Sequence, residues 1–378
     1  MKKVIILLVA VCIIATMAFV GVGCKTTTAT TAAVAAETTA AAATETKNPA
    51  NFEIVFIVKA DGIPWFDVER MGLEQAAKDY GFKSQTVGPA KADAALQAQM
   101  VEDYIAKGVQ AIAVCPNDPA SIEPVFAKAN GAGILTFGHE GSSFKNVSFD
   151  IEGMSNKVFG ETIMKRMIEF TKGVGGYVAS VGFLTSVSHN EWVDAEIAYQ
   201  KANAPDFVNV LGYAAGSDRF EEKEDQTIAH DKILEFIKTY PNLTGVIGSP
   251  MTTGPAAGLA IEEKGLKGKL MFVGTGLPIT IGNYLTSDTV QEGLFWNPYM
   301  VGYALGYTAL QTWLGTPPKN GDAILMKDGS KLPGYEAIGI ETNKNGGQIM
   351  FGQGQIELTK ANLDEWNKKF ADYGWKQQ

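Results

Sequence analysis

Past residue 52 the chain alternates between short runs rich in β-branched and aromatic residues and longer amphipathic runs. Strand-length runs fall at 53–58, 84–87, 111–115, 133–137, 146–149, 177–182, 208–213, 244–249, 270–274 and 291–296. Helix-length runs fill most of the gaps, at 67–80, 93–107, 119–131, 155–171, 189–203, 221–239, 254–264 and 298–314. A strand buried on both faces reads as a continuous apolar run, and parallel neighbours need a long crossover between them. The rhythm therefore predicts an α/β fold with parallel sheets covered by helices on both faces. Right-handed crossovers leave few topologies. The first four strands form one βα series and the strands from 177 to 274 a second, so two similar lobes are expected. The polar stretch GHEGSSFKN, within 138–146, reads as the lobe boundary, with a second crossing near 291–297 and a third in the Gly-rich tail from 320. These limits assign 52–141 plus 294–318 to lobe 1 and 142–293 plus 319–365 to lobe 2.

The first fifty residues have another character. Lys2 and Lys3 precede an apolar stretch, Val4 to Val20, that ends in Gly21-Val22-Gly23-Cys24. A basic start, an apolar centre and small residues at the end describe a secretory signal over residues 1–24. The end resembles a bacterial lipobox, although Gly21 stands where Leu is usual. That resemblance makes Cys24 the expected lipidation site and first mature residue. A plain cleaved signal or an uncleaved anchor are the alternatives. Residues 25–51, almost entirely Thr, Ala and Glu, cannot bury apolar surface and read as a disordered spacer. Of three cysteines, only Cys115 would then remain free, as a buried thiol without a disulfide. The net charge of −9 argues against nucleic acid or an anionic membrane surface as partner.

Polar residues recur where the apolar runs end. Lys59 follows Ile54 to Val58, and Trp65 and Phe66 come just after the turn Ala60-Asp61-Gly62-Ile63-Pro64. His139 and Glu140 follow the fourth run, and His189 and Asn190 the sixth. Pro250, Met251 and Thr252 follow the run at 244–249; Gly276 and then Trp296 and Asn297 close the last two. In open α/β sheets ligands lie beyond the carboxyl ends of the strands. A cleft with a lysine, histidines, acids, amides and aromatics suits a sugar: polar groups bond its hydroxyls and rings cover its C–H face. The blander reading is a set of solvated ends, caps and packed aromatics.

Catalysis has less support. Ser186 and Ser188 lie near His189, but there is no GxSxG elbow, no GxGxxG after the first strand and no Walker A motif. Asp150 and Glu152 could form a glycosidase-like acid pair, or bond hinge amides and the helix start at Ser155. His139, Glu140 and His189 could in principle hold zinc, but no HExxH-type spacing supports it. No metal and no cofactor is expected.

The segments VKADGIPWFDVERMGLEQAAKDYG, TSVSHNEWVDAEIAYQ and FWNPYMVGYALG, with the long stretch from Val87 to Phe137, resemble the sugar-binding proteins of ABC importers. These are the type I solute-binding proteins related to ribose-binding protein. Within them the chain is most similar to the autoinducer-2 and rhamnose branch. The resemblance covers nearly all of 52–365. It implies the type I periplasmic binding protein fold, two Rossmann-like lobes joined by a hinge, and no enzymatic step. It implies capture of a monosaccharide or sugar-like ligand by a monomer that docks on an ABC permease, in the periplasm or on the outer face of the cell membrane. A sensory receptor for autoinducer-2 or a sugar shares that fold, and a secreted carbohydrate hydrolase is the remaining alternative. Lys59 matches the ligand-binding lysine of the autoinducer-2 receptors, Trp65 and Phe66 the paired cleft aromatics, and Pro250 a proline whose backbone meets ligand. Gly138-His139-Glu140, Ser188-His189 and Thr275-Gly276 depart from the acidic or amide residues expected there. A different or modified carbohydrate is therefore expected.

The leader makes a direct prediction. Intact-mass measurement of protein from a bacterial host should show a mature chain that begins at a lipid-modified Cys24. A mature N-terminus elsewhere, without lipid, refutes the anchor.

Overall fold

The computed structural model describes residues 47–375, so the leader, Cys24 and most of the Thr/Ala spacer lie outside the described residues. Five strands come first among the described residues: β1 (Glu53–Ile57), β2 (Lys83–Val87), β3 (Ala111–Val114), β4 (Leu135–Gly138) and β5 (Phe149–Glu152). Six follow: β6 (Gly176–Val181), β7 (Val208–Asn209), β8 (Phe220–Glu221), β9 (Leu243–Gly248), β10 (Met271–Thr275) and β11 (Glu292–Trp296). The tail adds β12 (Gly339–Thr342), β13 (Gln348–Phe351) and β14 (Gln355–Leu358). The helices that matter below are α1 (Pro64–Tyr80), α2 (Ala94–Lys107), α3 (Pro119–Gly131), α4 (Asn156–Thr171) and α5 (Val187–Asn203). The later ones are α6 (Gln226–Thr239), α7 (Thr253–Lys264), α8 (Pro278–Thr286), α9 (Pro298–Leu314) and α10 (Leu363–Asp372).

The strands form two sheets. The first runs β12-β13-β5-β4-β3-β1-β2, and the second β14-β11-β10-β9-β6-β7 with β8 also on β6. Pairing is parallel except for β12 on β13 and β14 on β11. In β1, Ile54 to Ile57 are wholly buried, which is why that run is apolar without alternation. Asp93, Asp118 and Asp225 cap α2, α3 and α6 by accepting amide hydrogens of the first turn.

The chain crosses between sheets after β5, after β11 and between β13 and β14. This corrects three expected limits. GHEGSSFKN is a turn inside lobe 1, because Phe137 and Gly138 of β4 pair with Phe149 and Asp150 of β5. Residues 319–351 also return to lobe 1, since Ile349 to Phe351 pair with Asp150 to Glu152. The first crossing, Gly153-Met154-Ser155, is too short to leave a compositional mark. Conversely β11 belongs to the second sheet, on β10. The expected strand 208–213 shortens to β7, and the tail strands and α10 were not foreseen. Helix α1 begins at Pro64, with Asp67 inside its first turn and Ile63 at the cap position. Proline at the first helical position is favourable because its missing N–H would have no partner there. Trp65 and Phe66 therefore sit on a helix end, not in a flexible loop.

Lobe 1 is held by the crossing of α1 and α9. A Cβ at Gly302 would lie 1.9 Å from the Glu69 carbonyl oxygen, and one at Gly72 1.9 Å from that of Tyr299. Backbone meets backbone here, so neither side can yield easily. Gly302→Ala should lose about 1–3 kcal/mol of stability, the usual cost of overpacking. A chemical denaturation midpoint equal to wild type would show that the helices can slide apart.

Candidate functional site

The ends of β1, β4, β6, β9, β10 and β11 meet where the lobes touch. Lys59, Ile63, Trp65, Phe66 and Glu140 come from lobe 1 and His189, Trp192, Glu224, Ser249, Pro250, Met251, Thr275 and Trp296 from lobe 2; together they line one cavity. It is about 30 Å³, so the lobes are closed tightly on it. Larger spaces of about 300 Å³ behind the crossings and about 610 Å³ at the lobe edge hold neither the lysine nor its carboxylate partners.

The centre is an ion cluster. The Lys59 Nζ lies 2.5 Å from Glu140 Oε2, 3.7 Å from Glu224 Oε1 and 3.3 Å from His189 Nε2. Lys59 and Glu140 are only 4% and 6% exposed. Burial works against the lysine's charge, but Glu140 leads the neighbours that outweigh it and raise its pKa. Burial likewise opposes ionisation of Glu140, yet Lys59, with the two histidines, holds its pKa at about 2. The lysine's backbone is fixed from behind. Asn117 donates to the Lys59 carbonyl, and Gln97 ties the Val58 and Cys115 carbonyls together. Cys115 is a buried free thiol, as expected.

The His189 ring has a defined tautomer. Its Nδ1 accepts the Gly182 amide hydrogen at 3.1 Å, so the proton of the neutral ring is on Nε2. Burial, then Lys59, lowers its pKa to about 3. An N–H and an ammonium thus stand side by side as two donors facing one space. Aromatic rings form the remaining wall. Trp296 packs edge-to-face on Trp65 at 4.8 Å and on Trp192 at 5.5 Å between centroids.

Eight of the thirteen sequence candidates line this cavity: Lys59, Trp65, Phe66, Glu140, His189, Pro250, Met251 and Trp296. Five do not. His139 lies behind Glu140 and donates from Nδ1 to the Ile151 carbonyl at 2.7 Å. Asn190 is bound within lobe 2, donating to the Phe183 and Ser186 carbonyls and accepting from Arg219. Thr252 donates to Glu222. Gly276 packs against Ile281 at the start of α8. Asn297 caps α9 and donates to the Tyr373 hydroxyl. The Asp150–Glu152 pair is also elsewhere: Asp150 accepts the Gly141 amide hydrogen and Glu152 faces Ser188, with burial raising both pKa values. No group of His, Cys, Asp and Glu suited to a metal occurs among the described residues.

Glu224 was missed because it lies in a charged run, Glu221 to Asp225, that reads as solvated surface. The short strand β8, paired to β6, brings that run to the cleft. Ser249, just after β9, and Thr275, the last residue of β10, had the right position but no distinguishing pattern.

Such a site, closed between two α/β lobes and joined by three crossings, defines a two-lobed ligand-binding protein of the type I periplasmic fold. Residues 54–317 match the periplasmic binding protein domain, and the chain belongs to that family. A solute-binding protein from Clostridium phytofermentas with bound L-rhamnose superposes with a TM-score of 0.75 at 21% identity, covering 84% of this chain and 98% of that one. LsrB from Clostridium saccharobutylicum in complex with AI-2 gives 0.74 at 18% identity, covering 83% and 99%. The L-arabinose-binding periplasmic protein of Escherichia coli K12 is 30% identical over 101 residues, 27% of this chain and 30% of that relative's length.

The Lys59–Glu140 pair makes a stability prediction with a definite sign. The carboxyl sits near its ordinary 4.5 when unfolded and at about 2 when folded. Its contribution is therefore complete above pH 4.5 and disappears as pH falls through 2. Lys59→Met leaves a buried carboxylate unpaired and should cost about 3–5 kcal/mol at neutral pH. That deficit should shrink on acidification. A neutral-pH melting curve like wild type would mean that the cluster is hydrated in solution.

Proposed function

We propose that this protein captures a monosaccharide or sugar-like ligand between its lobes and delivers it to an ABC importer. The observation that carries this is a convergence of unsatisfied groups. Trp65 Nε1, Trp296 Nε1, Ser249 Oγ, Thr275 Oγ1 and Glu224 Oε1 are all buried without a hydrogen-bond partner, and all belong to residues that line the one cavity. Buried polar groups are normally paired. Donors, acceptors and hydroxyls gathered between aromatic rings match a polyhydroxylated ring. The rhamnose and AI-2 complexes among the structural relatives agree with this reading.

Closure supplies the signal. Lobe 1 and lobe 2 are joined at the mouth by Thr185 donating to the Asn117 carbonyl at 2.9 Å and by Ser142 donating to Glu191 at 2.8 Å. Ligand that touches both lobes favours a closed arrangement by its extra affinity for it. The closed form then docks, as a monomer, on the permease. The exported chain is tethered by a lipid on Cys24 and carries out no chemical step.

Calorimetry with a monosaccharide panel tests the proposal. One sugar should bind, and Trp65→Ala should weaken it by roughly 1–3 kcal/mol, about tenfold to a hundredfold. Small-angle scattering should show compaction on saturation. Unchanged affinity in the variant moves the site elsewhere, and an unchanged radius of gyration removes the hinge mechanism.

A further inference from the structure

Two carboxylates flank the single ammonium of the cleft, and they are not equivalent. Glu140 makes a close ion pair with Lys59 at 2.5 Å. Glu224 approaches the same ammonium only to 3.7 Å and its Oε1 has no hydrogen bond. Its other polar neighbour, His189 Nδ1 at 3.8 Å, already accepts the Gly182 amide hydrogen. The histidine is neutral, so the groups that face the cavity carry one positive and two negative charges when both carboxyls are ionised. Glu69 and His139 lie behind Glu140, and neither lines the cavity.

Three features hold Glu224 in this under-paired place. Its backbone is left-handed at φ 54°, as is that of Lys223 at φ 56°. Such a conformation is strained for a residue with a side chain and persists where the surroundings impose it. Gly182 makes the room: a Cβ there would lie 2.3 Å from Glu224 Oε1. The side chain is 8% exposed, and Oε1 itself is buried away from water. A buried carboxylate without a matching cation is unfavourable. Burial raises its pKa, while Lys59 only partly opposes the rise.

We propose that the ligand carries a protonated amine: the cleft is built for an amino sugar whose ammonium binds Glu224 while Lys59, Glu140 and His189 bond its hydroxyls. This rests on the reading of the cleft as a sugar site. An ammonium offers three donors and one positive charge, so it satisfies Oε1 and balances the cluster together. A neutral hydroxyl supplies a donor and leaves the charge. The aromatic walls remain available to the C–H face of the ring.

The test is calorimetry on the purified chain with D-glucosamine, D-galactosamine and D-mannosamine, each beside its parent hexose and its N-acetyl derivative. L-Rhamnose, L-fucose and D-arabinose complete the panel. N-acetylation keeps the nitrogen and removes the charge. At least one hexosamine should bind about tenfold or more tightly than both its parent and its acetylated form, the scale of a charged hydrogen bond. Glu224→Gln should bring amine and parent to within about threefold of each other, the remaining hydrogen bonds being neutral. Gly182→Ala, which displaces the carboxylate, should do the same and covers the case in which Glu224→Gln does not fold. A neutral sugar that binds more tightly than every hexosamine overturns the inference and leaves the sugar site standing. Retention of the amine preference in both variants overturns the role of Glu224. Binding of neither class overturns the sugar site and the inference together.

Discussion

The burial of the Lys59 ammonium at the meeting of two lobes sets the terms for the rest of the structure. An ion removed from water is costly unless opposite charge and hydrogen bonds replace its hydration. Glu140 comes from the end of β4 in the same lobe and supplies most of that replacement. Glu224 and His189 reach the ion from the other lobe. The lysine therefore senses whether the lobes are together. Its backbone is in turn immobilised by Asn117 and Gln97, so the charge stands at a fixed height above β1.

Trp296 connects this polar centre to the hinge. It ends β11, one residue before the chain crosses to α9, and is 1% exposed. Its ring contacts Trp65 of lobe 1 and Trp192 and Phe159 of lobe 2. A rotation of the lobes cannot leave that packing unchanged, because close-packed aromatic groups do not deform continuously. The cavity wall and the hinge thus share a side chain, which couples occupancy to lobe angle through contact rather than distance.

Backbone strain is concentrated at the same place. Among the described residues five non-glycine residues have positive φ, and they include Glu140, Lys223 and Glu224. Both carboxylates that face Lys59, one per lobe, stand on left-handed backbone. Neither conformation is favoured locally; each is imposed by the strand pairing and packing around it. The rigid sheets carry the cost of aiming two acids at one point, as at other preorganised sites.

The sequence alone determined the class of fold, because strands buried on both faces must be apolar throughout and the helices that cover them must be amphipathic. That pattern survives in any tertiary context. It also placed Lys59, Trp65, Glu140 and His189, since parallel sheets gather their carboxyl ends at one side. Only the tertiary structure decided which lobe owned each segment. β5 joins lobe 1 through pairing with β4, and β13 returns to it from almost two hundred residues away. Nothing in local composition encodes partners so distant. The role of Glu224 was hidden for a related reason. A charged surface run and a buried acid have the same letters, and it took the pairing of β8 with β6 and the missing side chain at Gly182 to bring this one out of water.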